Sequence, residues 1–382
     1  MRKFLHRILL AVNVLFAVAL LISYLAVHIN PENFALPALF GLAYPYILLI
    51  NILLAIAWAV MLRYEALISV CVIAAGFTHL SNYIKIARSN GNKEGTFKVM
   101  SYNLMLFNNF ENQNSSSEKR VLEFLKSQQP DILCLQEFYV NGDPAQKDTY
   151  VRNALGGKYY SHMKVIRSGT NRHFGIVTYS KFPVVGKGEI IHPRSSSLTI
   201  FTDILIEKDT FRIYNNHLQS FRLKKMERSF FEEMTSQYDK EALGEMIDLS
   251  VSLKRAFIRR ARQAQVVKGQ INRSQYPVIV AGDFNDTPVS YSYRKIRKGL
   301  NDAFVNSGYG AGFTYKGNYP ANRIDYILYD YSLESKYFDI IKVRFSDHYP
   351  VAAWFKVKDQ KGSFLKSTLP PLIIRPVFLF LK

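Results

Sequence analysis

The sequence predicts an α/β domain carried behind a group of apolar, membrane-length helices. Three observations lead there. Long apolar runs are confined to the amino-terminal part of the chain. Beyond a polar, glycine-containing segment, short runs rich in β-branched and aromatic residues alternate with a few helical patterns. Polar residues able to do chemistry recur at the ends of those short runs.

The first apolar run, Ile8 to Val27, is interrupted only by Asn13 and Ser23, and about 20 such residues cross a bilayer as a helix. The second, Leu36 to Leu62, contains Pro37, Pro45 and Asn51; the third, Ala66 to Tyr83, holds His79 and Ser81. A cleaved leader competes for the first run, but a second run follows directly and no small-x-small cleavage site precedes it. Residues 1–88 are therefore expected to form a retained anchor of about three transmembrane helices, with the lipid bilayer as partner. Arg2, Lys3 and Arg7 precede the first span, and the loop around Pro31-Glu32-Asn33 lacks Lys and Arg. That asymmetry predicts a cytoplasmic amino terminus and a multi-pass cell-membrane protein whose large domain is extracytoplasmic. Lys85, Arg88 and Lys93 argue the other way, but the first helix usually decides.

The 382 residues carry a formal net charge of +19. This suits anionic partners such as phosphate esters, acidic head groups or nucleic acid. Anionic lipid beside a juxtamembrane domain accounts for it equally well. Cys71 lies in the third apolar run and Cys134 in a predicted strand, so no disulfide joins them and cysteine usage does not report the compartment. No protein partner is inferred.

Residues 89–96, Ser89-Asn90-Gly91-Asn92-Lys93-Glu94-Gly95-Thr96, read as a linker. In the domain that follows, residues 97–358, strands are predicted at Phe97 to Leu104, Ile132 to Gln136, Tyr159 to Val165, Phe174 to Tyr179 and Leu198 to Ile206. Further strands are predicted at Phe211 to Asn216, Val278 to Ala281, Ile324 to Tyr329, Tyr337 to Phe345 and Val351 to Val357. Helices are predicted at Glu118 to Ser127, Tyr291 to Gly299 and across Glu232 to Ile271. Within the last, Leu253, Phe257, Ala261, Ala264, Val267 and Ile271 form one apolar stripe, with Lys254, Arg255, Arg259, Arg260 and Arg262 expected on the solvated face. The tail, 359–382, is apolar, broken by prolines and too short to span; it suits a membrane surface, the anchor or a sheet edge.

The chemistry-bearing ends come in a fixed order: Ser101-Tyr102-Asn103, Gln136-Glu137, Asn215-Asn216-His217, Gly282-Asp283-Phe284-Asn285, Arg323-Ile324-Asp325 and Ser346-Asp347-His348. Carboxylates hold a hard divalent cation, an amide orients water, and an imidazole donates to an oxyanion. That is the equipment for attack on a phosphate ester.

This series resembles the endonuclease/exonuclease/phosphatase superfamily over roughly Phe97 to Lys358. The resemblance implies a four-layer α/β sandwich of two packed mixed β-sheets flanked by helices. It also implies a divalent-metal-dependent phosphoesterase, most simply a phosphodiesterase, using Mg2+ or Mn2+. Carried over residue by residue, Glu137 resembles the principal metal ligand, with Asn103 and Asp347 contributing directly or through water. Asp283 resembles the group that aligns and deprotonates the attacking water, with Asn285 beside it. His348 resembles the imidazole on the scissile phosphate, Asp325 the carboxylate orienting it, and His217 a second histidine on phosphate or leaving group. Arg323 caps a strand or binds substrate. Asn216 and Asp286 read as local structure, and His162, His173 and His192 as ordinary loop or surface residues, although Asn171, Arg172 and His173 immediately precede a strand and so are candidates to line the cleft.

The substrate is a phosphate ester: a lipid head group, a nucleic acid or a small molecule. Gly282-Asp283-Phe284-Asn285-Asp286-Thr287-Pro288 and Asn322-Arg323-Ile324-Asp325-Tyr326 depart from the inositol-phosphatase branch. A membrane tether favours lipid over chromosomal DNA, while extracytoplasmic nuclease activity remains the alternative. Arg222, Lys224, Lys225, Arg228, Phe230 and Phe231 suit a membrane-facing lid or a solvated hairpin. An inactive interaction protein is the second alternative; intact Glu137, Asp283 and His348 weigh against it.

Overall fold

The computed structural model describes residues 2–87, 91–108, 115–167, 171–193, 195, 197–220, 240–317 and 322–358. The 359–382 tail and the Arg222–Phe231 segment lie outside them. The strands are β1 (Ile84–Lys85), β2 (Phe97–Asn103), β3 (Ile132–Asn141), β4 (Tyr160–Arg167), β5 (Arg172–Ser180), β6 (Val184–Ile190) and β7 (Leu198–Ile206). There follow β8 (Asp209–His217), β9 (Val278–Asp283), β10 (Asn301–Asp302), β11 (Gly310–Ala311), β12 (Asp325–Tyr329), β13 (Leu333–Ile340) and β14 (Val351–Val357).

Two six-stranded mixed sheets result, ordered β13-β14-β2-β3-β5-β4 and β10-β12-β9-β8-β7-β6. Each has one parallel pair at its centre, β2 with β3 and β8 with β9. Such strands are covered on both faces, which is why β2 and β9 are buried along their whole length. Val99, Ile132, Ile213, Ile279, Ile327 and Ala353 fill the space between the sheets. Outside the first sheet, Met100 and Leu133 pack on Val121, Leu122 and Leu125 of the helix Ser115–Gln128. Outside the second, Val278, Val280 and Leu328 pack on Ala264, Val267 and Ile271 of the helix Lys240–Asn272. Helix, sheet, sheet and helix make the four layers expected.

Several details depart from the sequence reading. β6 was not predicted: Gly186, Lys187, Gly188 and Glu189 give it little β character, and it forms as an edge strand against β7. β13 runs Leu333–Ile340 rather than Tyr337 to Phe345. Arg260, expected in solvent, is fully buried, donating to Asp286 Oδ2 at 3.1 Å and to the Gln219 carbonyl at 3.0 Å. It lies three residues from Phe257 and four from Ala264, so helical geometry puts it beside the apolar stripe.

The amino-terminal unit does not show the three membrane-length helices expected. Among the described residues one helix, Lys3–Leu25, is long and apolar enough to cross a membrane, and the count rises to two if the bent pair that follows is taken as one broken span. The second run divides at Ala43 into Leu36–Leu42 and Tyr44–Val60, bent by 68°. Pro45 causes the break, because it lacks an amide hydrogen and its ring crowds the carbonyl of Gly41. The third run breaks at Gly76, leaving Ala66–Ala75, which at roughly 1.5 Å per residue reaches about half the hydrocarbon thickness.

This unit is seated directly on the domain. Val289 shares an apolar cluster with Leu20, Ala26 and Tyr44. Thr287 Oγ1 donates to the Gly41 carbonyl at 3.2 Å, and a Cβ on Gly41 would lie 2.3 Å from the Val289 carbonyl oxygen. β1 pairs with β11, so contact with the domain begins before the predicted linker.

Candidate active site

The C-terminal ends of the two central parallel pairs meet at one edge of the sandwich. Asn103 ends β2, His217 ends β8, and Asp283 ends β9 in register with both His217 and Asp325. Glu137 lies within β3, where the pairing with β5 shifts register between Leu135 and Phe138. Its φ of 47° is left-handed. A bulge of this kind re-aims one side chain, and here it turns Glu137 toward the cleft. Gly282 has φ 134°, and a Cβ there would meet the Asn216 carbonyl oxygen at 2.1 Å, so β8 and β9 approach this closely only with glycine.

Asp283 Oδ2 is the centre of the constellation. It accepts from Asn103 Nδ2 at 3.0 Å and Asn285 Nδ2 at 3.1 Å. His348 Nε2 stands 3.8 Å from it and His217 Nε2 3.9 Å, gaps that suit an oxygen held between the groups. The Asn285 amide N–H donates to Asp283 Oδ1 at 2.7 Å, with Asn285 itself at φ 51°. His348 Nδ1 lies 3.0 Å from Asp325 Oδ2, and His348 Nε2 lies 4.0 Å from Asp347 Oδ1. Glu137 Oε1 is 3.4 Å from both His217 Nε2 and Asn103 Nδ2. Asn103 Oδ1 accepts from the Met105 amide at 3.0 Å, so the side-chain NH2 group faces the carboxylates.

Burial raises the Asp283 carboxyl from an ordinary 3.8 to about 6, with Asp325 adding to the rise and His348 opposing it. Burial by itself would lower His348; Asp325, Asp283 and Asp347 outweigh it and hold the ring well above its usual value.

Supporting residues with no role expected from sequence complete the site. Gln136 Nε2 donates to Asn215 Oδ1 at 2.8 Å, a buried bond between the two sheets directly behind Glu137 and His217. Ser346 Oγ donates to the Asn103 carbonyl at 2.8 Å and accepts from the His348 amide at 3.1 Å. Thr314 Oγ1 accepts from the Ile324 and Asp325 amides at 3.0 and 3.1 Å. Ser346 was visible as the residue before Asp347-His348, whereas nothing near Thr314 in sequence marks it.

Arg323 requires correction. It is fully buried, paired to Asp302 Oδ1 at 2.5 Å and donating to the Asn82 carbonyl at 2.9 Å. Its guanidinium faces away from the cleft into the junction with the amino-terminal unit, so it is a structural residue. Asn216 accepts from Thr199 at 3.1 Å, and Asp286 pairs with Arg260, both local as expected. His162 and His192 bond Thr202 and Thr199, and burial pushes each down to about 4. Arg172 and His173 pair with Asn141 and Val140, beyond Glu137 on β3.

A divalent cation fits this donor set. Four carboxylates, from Glu137, Asp283, Asp325 and Asp347, converge on two imidazoles, so negative charge remains even with both rings protonated. The donors are oxygen, as hard cations prefer. Asp283, Asp325 and His348 bring ligand atoms within 4.8 Å of one another. Glu137 and Asp347, each about one-third exposed, offer further carboxylate oxygens in the same constellation.

Fold and site define a hydrolase acting on phosphoester bonds. The chain belongs to the Endonuclease/Exonuclease/phosphatase family, whose model matches residues 100–348. A second model, a domain of unknown function (DUF8431), matches residues 6–83. Among solved structures, it is similar to an endonuclease/exonuclease/phosphatase family protein from Leptotrichia buccalis C-1013-b, at 16% identity and TM-score 0.50, covering 69% of this chain and 100% of that one. An endonuclease/exonuclease/phosphatase from Beutenbergia cavernae DSM 12333 matches at 16% identity and TM-score 0.51, covering 69% and 72%. The human Nocturnin catalytic domain with bound sulfate anion matches at 18% identity and TM-score 0.50, covering 70% and 96%. At these identities the likeness is one of fold. No curated protein matches the chain.

Proposed function

We propose that the chain is a membrane-anchored, Mg2+-dependent phosphodiesterase. The observation that carries the chemistry is the convergence of Asn103, Asn285, His217 and His348 on Asp283 Oδ2. Bound at Glu137 and Asp347, the cation supplies Lewis-acid stabilisation of phosphate charge. Asn103 Oδ1, which accepts from the Met105 amide and keeps a second lone pair, would complete the cation's ligand set directly or through water. Asn103 and Asn285 fix the Asp283 carboxylate, which orients a water and takes its proton at Oδ2. His348 donates Nε2–H to a phosphate oxygen, and Asp325 at Nδ1 keeps the ring oriented and charged. His217 Nε2 is placed to donate to a second phosphate oxygen or to the departing alkoxide.

The anchor reading rests on an inverted distribution of polarity in the amino-terminal unit. Leu15, Val18, Leu49, Leu53 and Ile56 are exposed, whereas Asn13, Asn51 and Ser69 are wholly buried. Ser69 Oγ donates to Asn13 Oδ1 at 2.6 Å and to Asn51 Oδ1 at 3.2 Å, and Asn51 Nδ2 donates to the Phe16 carbonyl at 2.9 Å. Apolar outside and hydrogen-bonded inside is the arrangement lipid demands. With Lys3–Leu25 as the crossing helix and Arg2, Lys3 and Arg7 on the cytoplasmic side, the catalytic domain lies outside. Protease protection in sealed vesicles tests that placement.

The chemical test uses purified full chain with Mg2+ against phospholipids, sphingomyelin, plasmid DNA, RNA and inositol phosphates. Hydrolysis of a diester, reduced at least about a hundredfold by His348→Ala and by Glu137→Ala, is expected. A folded, metal-loaded chain without activity on any phosphoester favours the interaction-protein reading instead.

A further inference from the structure

A basic cavity lies outside the catalytic cleft, at the junction of the amino-terminal unit with the domain. A cavity of about 820 Å³ opens there, a volume that holds a head group or small ligand. Its lining includes Arg294, Lys295, Arg297, Lys298, His28 and His79, and no Asp or Glu.

These cations differ from the buried ones elsewhere. Arg212, Arg260 and Arg323 each have an aspartate partner. Arg297 is tied to Asn82 Oδ1 and the Tyr293 hydroxyl, both at 2.8 Å. Among the described residues, Arg294, Lys295 and Lys298 have no carboxylate at ion-pair distance. The Arg294 guanidinium donates to the imidazole of His28, which accepts only when neutral, so the arginine's charge stays unbalanced. The ordinary account is that the short helix Tyr291–Arg297 carries bases in its last turn to suit its dipole. That account covers neither Lys298 beyond the helix nor the two histidines brought in by a different part of the chain.

Placement adds the second argument. His28 follows the membrane-length helix Lys3–Leu25 by three residues, and Val27 lies beside it on the cavity wall. A helix that crosses a bilayer ends at the level of lipid phosphates.

We propose that this cavity binds a negatively charged phosphate ester, presented by the head group of a membrane lipid. Arg294, Lys295 and Lys298 surround the phosphate, while Val27 and Leu300 line the wall with carbon. The lipid source rests on the membrane reading of the amino-terminal unit, whereas the anion site itself does not.

Calorimetry on the full chain in neutral detergent with EDTA, which prevents turnover, tests the site. The probes are dihexanoyl phosphatidylglycerol, dihexanoyl phosphatidylcholine and sn-glycerol 3-phosphate. Phosphatidylglycerol is expected to bind at least about tenfold more tightly than phosphatidylcholine, and the triple change Arg294→Gln, Lys295→Gln, Lys298→Gln to weaken it at least about tenfold. Lys298→Gln alone, at an exposed position, is expected to cost about fivefold and serves if the triple variant misfolds. Lys208→Gln, in the exposed β7–β8 turn, leaves the affinity unchanged. Glycerol phosphate binding as tightly as the lipid supports the site and assigns it a soluble ligand. Equal binding of phosphatidylcholine, unchanged affinity in the triple and single variants, or loss of binding with His348→Ala overturns the proposal.

Discussion

Asp325 and His348 join the two sheets across the cleft, Oδ2 3.0 Å from Nδ1, with both side chains buried. Asp325 begins β12 of one sheet, and His348 lies three residues before the start of β14 of the other. The carboxylate overcomes the burial that would otherwise strip the ring of its proton. Asp325→Asn is therefore expected to lower kcat about a hundredfold and to move the alkaline limb of the pH–rate profile to lower pH. A stability signature follows. Because the folded value is raised, His348 stabilises the fold fully below its unfolded value near 6.5, and this is lost as pH rises through the folded one. The variant should lose more stability at pH 6 than at strongly alkaline pH, read from denaturant titrations at each.

Asp283 carries the opposite tension between stability and function. Its carboxyl sits at about 6 in the fold against 3.8 ordinarily, so it stabilises the protein below pH 3.8, and the benefit is gone once pH passes 6. At pH 8 the ionised group costs the metal-free fold about 3 kcal/mol. Asp283→Asn should abolish activity while raising unfolding free energy at pH 8 in EDTA by up to about that amount, with little gain at pH 4. Added Mg2+ should narrow the difference. A variant destabilised at pH 8 in EDTA contradicts the account.

Glu137 occupies its bulge at φ 47°, a conformation unfavourable for a residue with a Cβ. A side chain so held, a third exposed and facing Asn103 and His217, suits a cation ligand more than a packing role. Glu137→Gln keeps the shape and removes the charge. The Mg2+ activation curve should shift to higher concentration, and activity at saturating metal should fall about 10²–10³-fold. Chelation should silence the parent reversibly.

How far the sequence foretold this arrangement can be judged from particular residues. Asp283 and Asn285 were legible because a short polar motif ends an apolar strand, Asp347 and His348 because one stands just ahead of the apolar run of β14, and β2, β7, β9 and β14 were legible as strands. Three things were not. The bulge that aims Glu137 depends on how β3 pairs with β5, far away in sequence. The Gln136–Asn215 bond exists only once the sheets are stacked. Arg323 looked like a cleft residue two positions before Asp325, but its side chain is claimed by Asp302 and the Asn82 carbonyl. In the amino-terminal unit, composition announced apolar helices correctly but not their lengths, since Pro45 and Gly76 divide runs that hydropathy alone joins.

The Arg323–Asp302 pair is wholly buried and is linked to the amino-terminal unit through Asn82. Breaking such a pair strands a charge, at a cost of about 3–5 kcal/mol. Arg323→Met should lower stability by that order and leave KM unchanged in whatever fraction folds. Adding Asp302→Leu should recover part of the loss. Thermal denaturation and steady-state kinetics on the same preparations separate this from a substrate-binding role, which would raise KM at constant stability.

Asn51 and Leu53 lie two residues apart on the helix Tyr44–Val60 and face opposite environments. Asn51 is fully buried among Ser69, Phe16 and Ile47, whereas Leu53 is 56% exposed. In water, Leu53→Arg would be neutral or would improve solubility, because it exchanges an exposed apolar side chain for a charged one. In lipid, the same change costs about 2–3 kcal/mol at the helix centre. It should therefore reduce the carbonate-resistant membrane fraction, while Asn51→Leu, which leaves Ser69 without that acceptor, should lower thermal stability but keep the chain in the membrane. Leu53→Arg with undiminished membrane retention and improved solubility would remove the lipid-facing assignment of this surface.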